Sequence, residues 1–117
     1  MRDTETVIQK IAEKECKEEL LFSDSNLYES IYIRARIYNG ALTVIDSECG
    51  HAPDGGWSHR SILFDKENTE RVVGILLDMS YDPYRGLKQL INYDSRLDHF
   101  IDICEQQGIK YESRWSF

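Results

Sequence analysis

Side chains capable of metal or acid–base chemistry concentrate in one short segment of the chain. Cys49, His51, Asp54 and His59 lie within eleven residues, in a stretch that is also rich in glycine. Thiolate, imidazole and carboxylate groups are the ligands that zinc prefers, but this spacing matches no standard zinc pattern. We therefore expect no metal and no cofactor at this segment.

Acid–base catalysis is a second interpretation of the same segment. His51 and His59 could serve as general base and general acid on a phosphodiester, with Arg60 stabilising the developing charge. The net charge of −7 disfavours a phosphate-bearing substrate. A third interpretation is a glycine-rich connection whose polar side chains are simply in water. We expect a binding protein rather than an enzyme, and a small hydrolase or nuclease that uses His51 and His59 stays as the alternative.

The residues before this segment predict a β-hairpin that would position it. Apolar residues alternate from Ile31 to Ile37, the period of a half-buried strand, and Asn39-Gly40 is typical of a type I′ turn. A two-residue turn fixes the register, so Tyr38 is expected opposite Ala41. The same register places Ile37 opposite Leu42, Arg36 opposite Thr43, Ala35 opposite Val44 and Arg34 opposite Ile45.

The two faces of this hairpin differ in chemistry. One face is apolar and must be covered by helices; it holds Ile31, Ile33, Ala35, Ile37, Leu42 and Val44. The other holds Tyr32, Arg34, Arg36, Tyr38, Thr43 and Ile45. Tyrosine with arginine is typical of platforms for single-stranded nucleic acid, but the acidic chain favours cross-strand packing or a covering helix, so we expect no nucleic acid.

Asp46 and Glu48 fall on the apolar face if the register continues. Because bare carboxylates do not stay buried, either a bulge intervenes or that corner is open to solvent or to a partner. Trp57 and His51 follow beside Asp46, Glu48 and Asp54, which together predict an aromatic anchor ringed by carboxylates. This composition suits the capture of a basic protein partner.

The remaining segments complete a single α+β domain over residues 1–117. We expect an antiparallel sheet of about four strands with helices packed on at least one face, in the order α-β-β-β-α-α-α-β. The first predicted helix runs from an Asp3-Thr4 cap through Leu20, and the second from about Thr69 to Met79 with Asp65 or Asn68 as its cap. The third begins at Asp82-Pro83 and runs through Ile91, and the fourth runs from a capping-box-like Ser95 to Gly108. Residues 23–26 are expected to form a loop, and residues 58–65 and 109–117 to form strands. The last strand could lie beside the hairpin or beside the third strand.

Composition limits where such a protein acts. No apolar run approaches the roughly 20 residues of a membrane span, and Cys16, Cys49 and Cys104 are odd in number and widely spaced. We therefore expect reduced thiols, a cytoplasmic location and no membrane partner. Whether the chain is a monomer or a homodimer is left open.

In its size, acidity, unpaired cysteines, hairpin from Tyr32 to Glu48 and following loop, the chain resembles the small immunity proteins of bacterial polymorphic-toxin systems, such as those of contact-dependent growth inhibition. The resemblance implies a cytosolic inhibitor that covers the active site of a toxin domain, often a nuclease. These families share no single fold, so the resemblance assigns no residue roles. The site residues we predict are thus Asp46, Glu48, His51, Asp54 and Trp57, from composition and charge.

Overall fold

Five strands and four helices make up the described chain. The computed structural model describes residues 4–13, 18–50 and 56–117. Its elements are α1 (Thr4–Glu13), β1 (Glu19–Ser25), β2 (Glu29–Tyr38), β3 (Ala41–Gly50), β4 (Trp57–Leu63), α2 (Lys66–Met79), α3 (Pro83–Leu90), α4 (Asp98–Gln106) and β5 (Glu112–Ser116). The strands form one antiparallel sheet in the order β1-β2-β3-β4-β5. The α+β prediction is confirmed, but the predicted element order lacked one strand.

The hairpin of β2 and β3 has the predicted register. Tyr38 pairs with Ala41, and the pairing continues without a bulge to Glu29 and Gly50. Asn39 and Gly40 have φ angles of 51° and 79°, the positive values that a type I′ turn requires. The predicted turn and register of this hairpin are therefore confirmed.

Strand β1 is the element that the sequence pattern concealed. Apolar residues that recur at every fourth position predict a first helix through Leu20. This prediction is wrong at its end, because α1 ends at Glu13 and β1 begins at Glu19. A β-bulge between Leu20 and Phe22 breaks the alternation that would have indicated a strand. Pairing with β2 and burial of Leu21 against the core stabilise the strand instead.

Capping groups set two helices as expected and leave a third without a side-chain cap. Asp65 caps α2 by accepting a hydrogen bond from the Asn68 amide at 2.8 Å, and Asp82 caps α3 by accepting from the Tyr84 amide at 2.9 Å. The capping box predicted from Ser95 was wrong, because α4 begins at Asp98 with Leu97 at its N-cap and no side-chain bond. The segment before α4 instead forms a turn in which Arg96 has a positive φ of 49°.

The helices cover one face of the sheet and form the core there. Buried residues of that face pack with buried residues of α2, α3 and α4; they include Ile31, Ile33, Leu42, Val44, Ile62, Val72, Val73, Leu76, Leu87 and Phe100. Strand β5 pairs with β4, which resolves the position left open for the last strand. None of the helices in the described ranges is long and apolar enough to cross a membrane.

Candidate functional site

Asp46 and Glu48 lie on the helix-covered face, where the uninterrupted register of β3 places them. Asp46 is paired with Ile33 on one side and with Arg60 on the other. Only 8% of Asp46 is exposed. The bulge that would have turned these carboxylates outward is absent from β3, so their charge has to be balanced where they are.

Arg96 supplies that balance for Asp46. Its Nε donates to Asp46 Oδ2 at 2.8 Å, and its Nη2 donates to Oδ1, so the pair is bidentate. Arg96 reaches this position because its backbone has a φ of +49° in the turn that joins α3 to α4. The turn is held by Asn92, whose side-chain oxygen accepts from the Ser95 amide at 2.7 Å. Nothing in the local sequence pattern indicated this cation, since it lies fifty residues from Asp46.

Glu48 is less well compensated. Arg96 Nη1 lies 3.6 Å from Glu48 Oε2, and 38% of the Glu48 side chain remains exposed. A hydrogen bond with Glu29 and partial burial raise the pKa of Glu48, while Arg96 acts in the opposite direction. The Arg96 guanidinium group is therefore shared by two carboxylates, Asp46 and Glu48, and this corner keeps an excess of negative charge.

Trp57 lies on the opposite face of the sheet from Asp46 and Glu48. It pairs with Cys49, one residue away in register from the Glu48–Ser58 pair, so its side chain points to the other side. His51 and Asp54 lie outside the described residues. The aromatic anchor predicted at this corner is therefore separated from the two carboxylates that were to surround it.

A different tryptophan takes that place. Trp115 of β5 pairs with Arg60 of β4, and Arg60 pairs with Asp46 of β3, so the three share the helix-covered face. Trp115 is 61% exposed. It lines a cleft of about 280 Å³, here named the Trp115 cleft, together with Asp46, Glu48, Ser58, Arg60, Asp94, Ser95, Arg96, Leu97 and Asp98.

Polar contacts organise the floor of the Trp115 cleft. The Arg60 guanidinium carbon lies 5.4 Å from the centroid of the Trp115 ring, within cation–π range, and Arg60 Nη1 lies 3.5 Å from Asp98 Oδ1. Four carboxylates line the cleft against two guanidinium groups, so the cleft carries a net negative charge. Of the residues predicted for this corner, Asp46 and Glu48 line the cleft, and Trp115 is the tryptophan beside them.

His59 is part of a hydrogen-bonded chain on the other face. Arg34 Nη1 lies 3.3 Å from Ser47 Oγ, and Ser47 Oγ lies 2.7 Å from His59 Nδ1. Because a guanidinium can only donate, the Ser47 hydroxyl is free to donate to His59 Nδ1. A catalytic nucleophile has to be accessible to its substrate. Ser47 is fully buried, so its hydroxyl does not meet this requirement.

Neither metal binding nor the alternative acid–base pair gains a site from the described residues. Within residues 4–13, 18–50 and 56–117, no three histidine, cysteine or carboxylate side chains are arranged to hold a metal ion. His51, the second member of the proposed catalytic pair, lies outside these ranges. The described thiols, Cys49 and Cys104, are both free, and burial raises the pKa of Cys104 to about 12.

Comparisons with protein families, curated proteins and solved structures find no match for this chain.

Proposed function

We propose that this protein acts by binding a basic protein through the Trp115 cleft, as an inhibitor of the immunity type. The observation that carries the proposal is the cleft itself, in which an exposed tryptophan is surrounded by carboxylates that the protein's own cations neutralise only in part. Tryptophan is enriched among the residues that dominate binding energy at protein interfaces.

The charges of the cleft favour a lysine or arginine side chain of the partner. Glu48 shares Arg96 with Asp46 and has a raised pKa because Glu29 is close. A cation placed beside Glu48 would relieve this repulsion between carboxylates, and Trp115 would cover the apolar stem of the incoming side chain. The negative charge of the whole chain adds long-range attraction for the same partner.

The resemblance to immunity proteins suggests which basic protein to test. The products of the genes next to this one, including any secreted toxin domain, should be purified and titrated against the protein by calorimetry. We expect one of them to bind with a dissociation constant that rises at least tenfold in Trp115→Ala, because tryptophan anchors commonly contribute 2 kcal/mol or more. Trp57→Ala is the matched control and should leave the affinity within about twofold.

A second pair of variants tests the electrostatic part. Glu48→Gln combined with Asp98→Asn should slow association and flatten its dependence on salt, with a smaller effect on dissociation. If no neighbouring gene product binds, the immunity role is rejected. If one binds and Trp115→Ala has no effect, the partner contacts another surface and the cleft is the wrong site.

A further inference from the structure

The second face of the sheet has no helical layer in the described parts of the chain. We name it the open face; it consists of Tyr32, Arg34, Arg36 and Tyr38 of β2, Thr43, Ile45, Ser47 and Cys49 of β3, Trp57, His59, Ser61 and Leu63 of β4, and Glu112, Arg114 and Ser116 of β5. Tyr32, Tyr38 and Trp57 are exposed large side chains, so no helix among the described residues covers this face as the sequence interpretation had considered. Four adjacent strands, β2 to β5, thus present a broad surface to the surroundings.

Three rings form a continuous array on the open face. The centroids of Tyr32 and Trp57 are 5.8 Å apart, and those of Trp57 and His59 are 6.1 Å apart. The Trp57 and His59 rings are parallel to within 2°. Such an array offers π-faces on which flat, unpaired bases can stack, and stacking tolerates any base because every base has such a face.

The His59 ring of the array is held in place by a hydrogen bond. Ser47 lies between Tyr32 and His59 in the sheet, and its hydroxyl holds the His59 ring through the 2.7 Å contact to Nδ1. Arg34 contacts the same hydroxyl and is itself held by Glu18, whose Oε2 lies 3.0 Å from Arg34 Nε. Because Trp57 packs parallel to the held His59 ring, ordering Trp57 on binding would cost less conformational entropy than ordering an isolated ring.

The charge of the open face is opposite in sign to that of the whole molecule. Three arginines, Arg34, Arg36 and Arg114, face two glutamates, Glu18 and Glu112, whereas the net charge of the chain is −7. Arg34 and Arg114 are paired with those glutamates. Arg36 is exposed and has no ion pair with any residue that the structure describes.

This separation of charge allows an anion to approach. The carboxylates of the Trp115 cleft lie on the opposite side of the sheet from Arg36. At physiological salt, charges that face the solvent are largely screened from one another beyond about 8 Å. An anion at Arg36 therefore interacts mainly with the local cations. Arg36 follows Tyr32 by four residues along β2, or about 13 Å, so a backbone contact and a stacked base can be made together.

We propose that the open face binds single-stranded nucleic acid, with unpaired bases on Tyr32 and Trp57 and a backbone phosphate at Arg36. Stacking supplies most of the affinity, because few arginines on this face are uncommitted. The dependence on salt is therefore shallow, with a slope of about −0.7 for each phosphate neutralised. A duplex does not bind, since its bases are already stacked and paired.

The two tryptophans allow a direct test, because they lie on opposite faces of the sheet. Dodecamers of deoxythymidine and of uridine should be titrated into Trp115→Phe, which retains Trp57, and into Trp57→Phe, which retains Trp115. We expect saturable quenching of tryptophan fluorescence in Trp115→Phe and none in Trp57→Phe. A duplex of the same length should quench neither.

Two further variants separate the contacts from the fold. Tyr32→Ala and Arg36→Ala should each weaken binding about tenfold, while urea unfolding of Arg36→Ala stays close to that of the parent because the side chain is exposed. Absence of quenching at millimolar strand would overturn the proposal, and so would equal quenching in both tryptophan variants. An acidic protein that binds the open face, with no effect of the dodecamers, would assign this surface to a protein partner instead.

Discussion

Among single residues, Asp46 is the one whose buried charge most constrains this corner of the sheet. The carboxylate is buried on the apolar face and is tolerated because Arg96 holds both of its oxygens. Arg96 therefore stabilises the fold whether or not a partner is bound. A buried charge that loses its partner is strongly destabilising, because neither water nor protein then compensates it.

We predict that Arg96→Ala lowers the free energy of unfolding by about 3 kcal/mol, near the low end for buried pairs because a quarter of the Arg96 side chain is exposed. Urea unfolding followed by circular dichroism measures the change. The matched control is Arg114→Ala, which removes an exposed pair with Glu112 and should cost less than about 0.5 kcal/mol. Equal and small losses in both variants would show that Asp46 does not depend on Arg96.

The sequence predicted the position of Asp46 but not that of its partner Arg96. The register of the hairpin placed Asp46 and Glu48 on the apolar face, because side chains alternate strictly along a strand. The compensating cation could not be found in the same way. Its backbone conformation depends on a turn between two helices, and no pattern in the local sequence relates that turn to β3. Trp115 was missed for a related reason, since it enters the site only once β5 is known to pair with β4.

At the scale of elements, local signals succeeded where one interaction dominates. The Asn39-Gly40 turn and the Asp82-Pro83 helix start follow from backbone geometry that few other residues can adopt. Strand β1 was not predicted because its bulge removes the alternation, and its stability comes from pairing with β2. The start of α4 was misplaced because Ser95 lies in the Arg96 turn instead of capping the helix.

Helices α2 and α3 pack closely at Gly86. A Cβ atom on Gly86 of α3 would lie 3.0 Å from the Leu76 backbone oxygen of α2, closer than the packing allows without a shift of the helices. Gly86→Ala should therefore lower the free energy of unfolding by roughly 1–3 kcal/mol, although alanine favours helices. Gly74→Ala is the matched helical control.

At Gly74 the nearest atom to an added Cβ is Thr4 Cγ2 at 3.8 Å, an ordinary van der Waals distance. Gly74→Ala should therefore stabilise the protein by up to about 1 kcal/mol, through helix propensity alone. Thermal or urea unfolding of the two variants compares them directly. If both substitutions stabilise the protein, the helices are not in close contact at Gly86.

At the scale of the whole molecule, the sheet separates two surfaces of different charge. The helix side carries the acidic Trp115 cleft, and the other side carries the aromatic and arginine-rich open face. Net charge alone gave only the average of these surfaces. That average favoured a basic partner and argued against an anionic one. It could not show that the arginines of β2 share a face that none of the described helices covers.

This separation predicts that the two tryptophans respond differently to charged quenchers. Trp57 is 46% exposed on the arginine-bearing side, and Trp115 is 61% exposed among carboxylates. In Trp115→Phe, iodide should therefore quench more efficiently than caesium, and in Trp57→Phe the preference should reverse. Stern–Volmer constants at low ionic strength measure both preferences, with neutral acrylamide correcting for exposure.

The difference between iodide and caesium should shrink as sodium chloride is raised toward 1 M, where charges are screened within about 3 Å. Identical preferences in the two variants at low salt would mean that the faces do not differ in potential, and both binding proposals would lose their electrostatic basis.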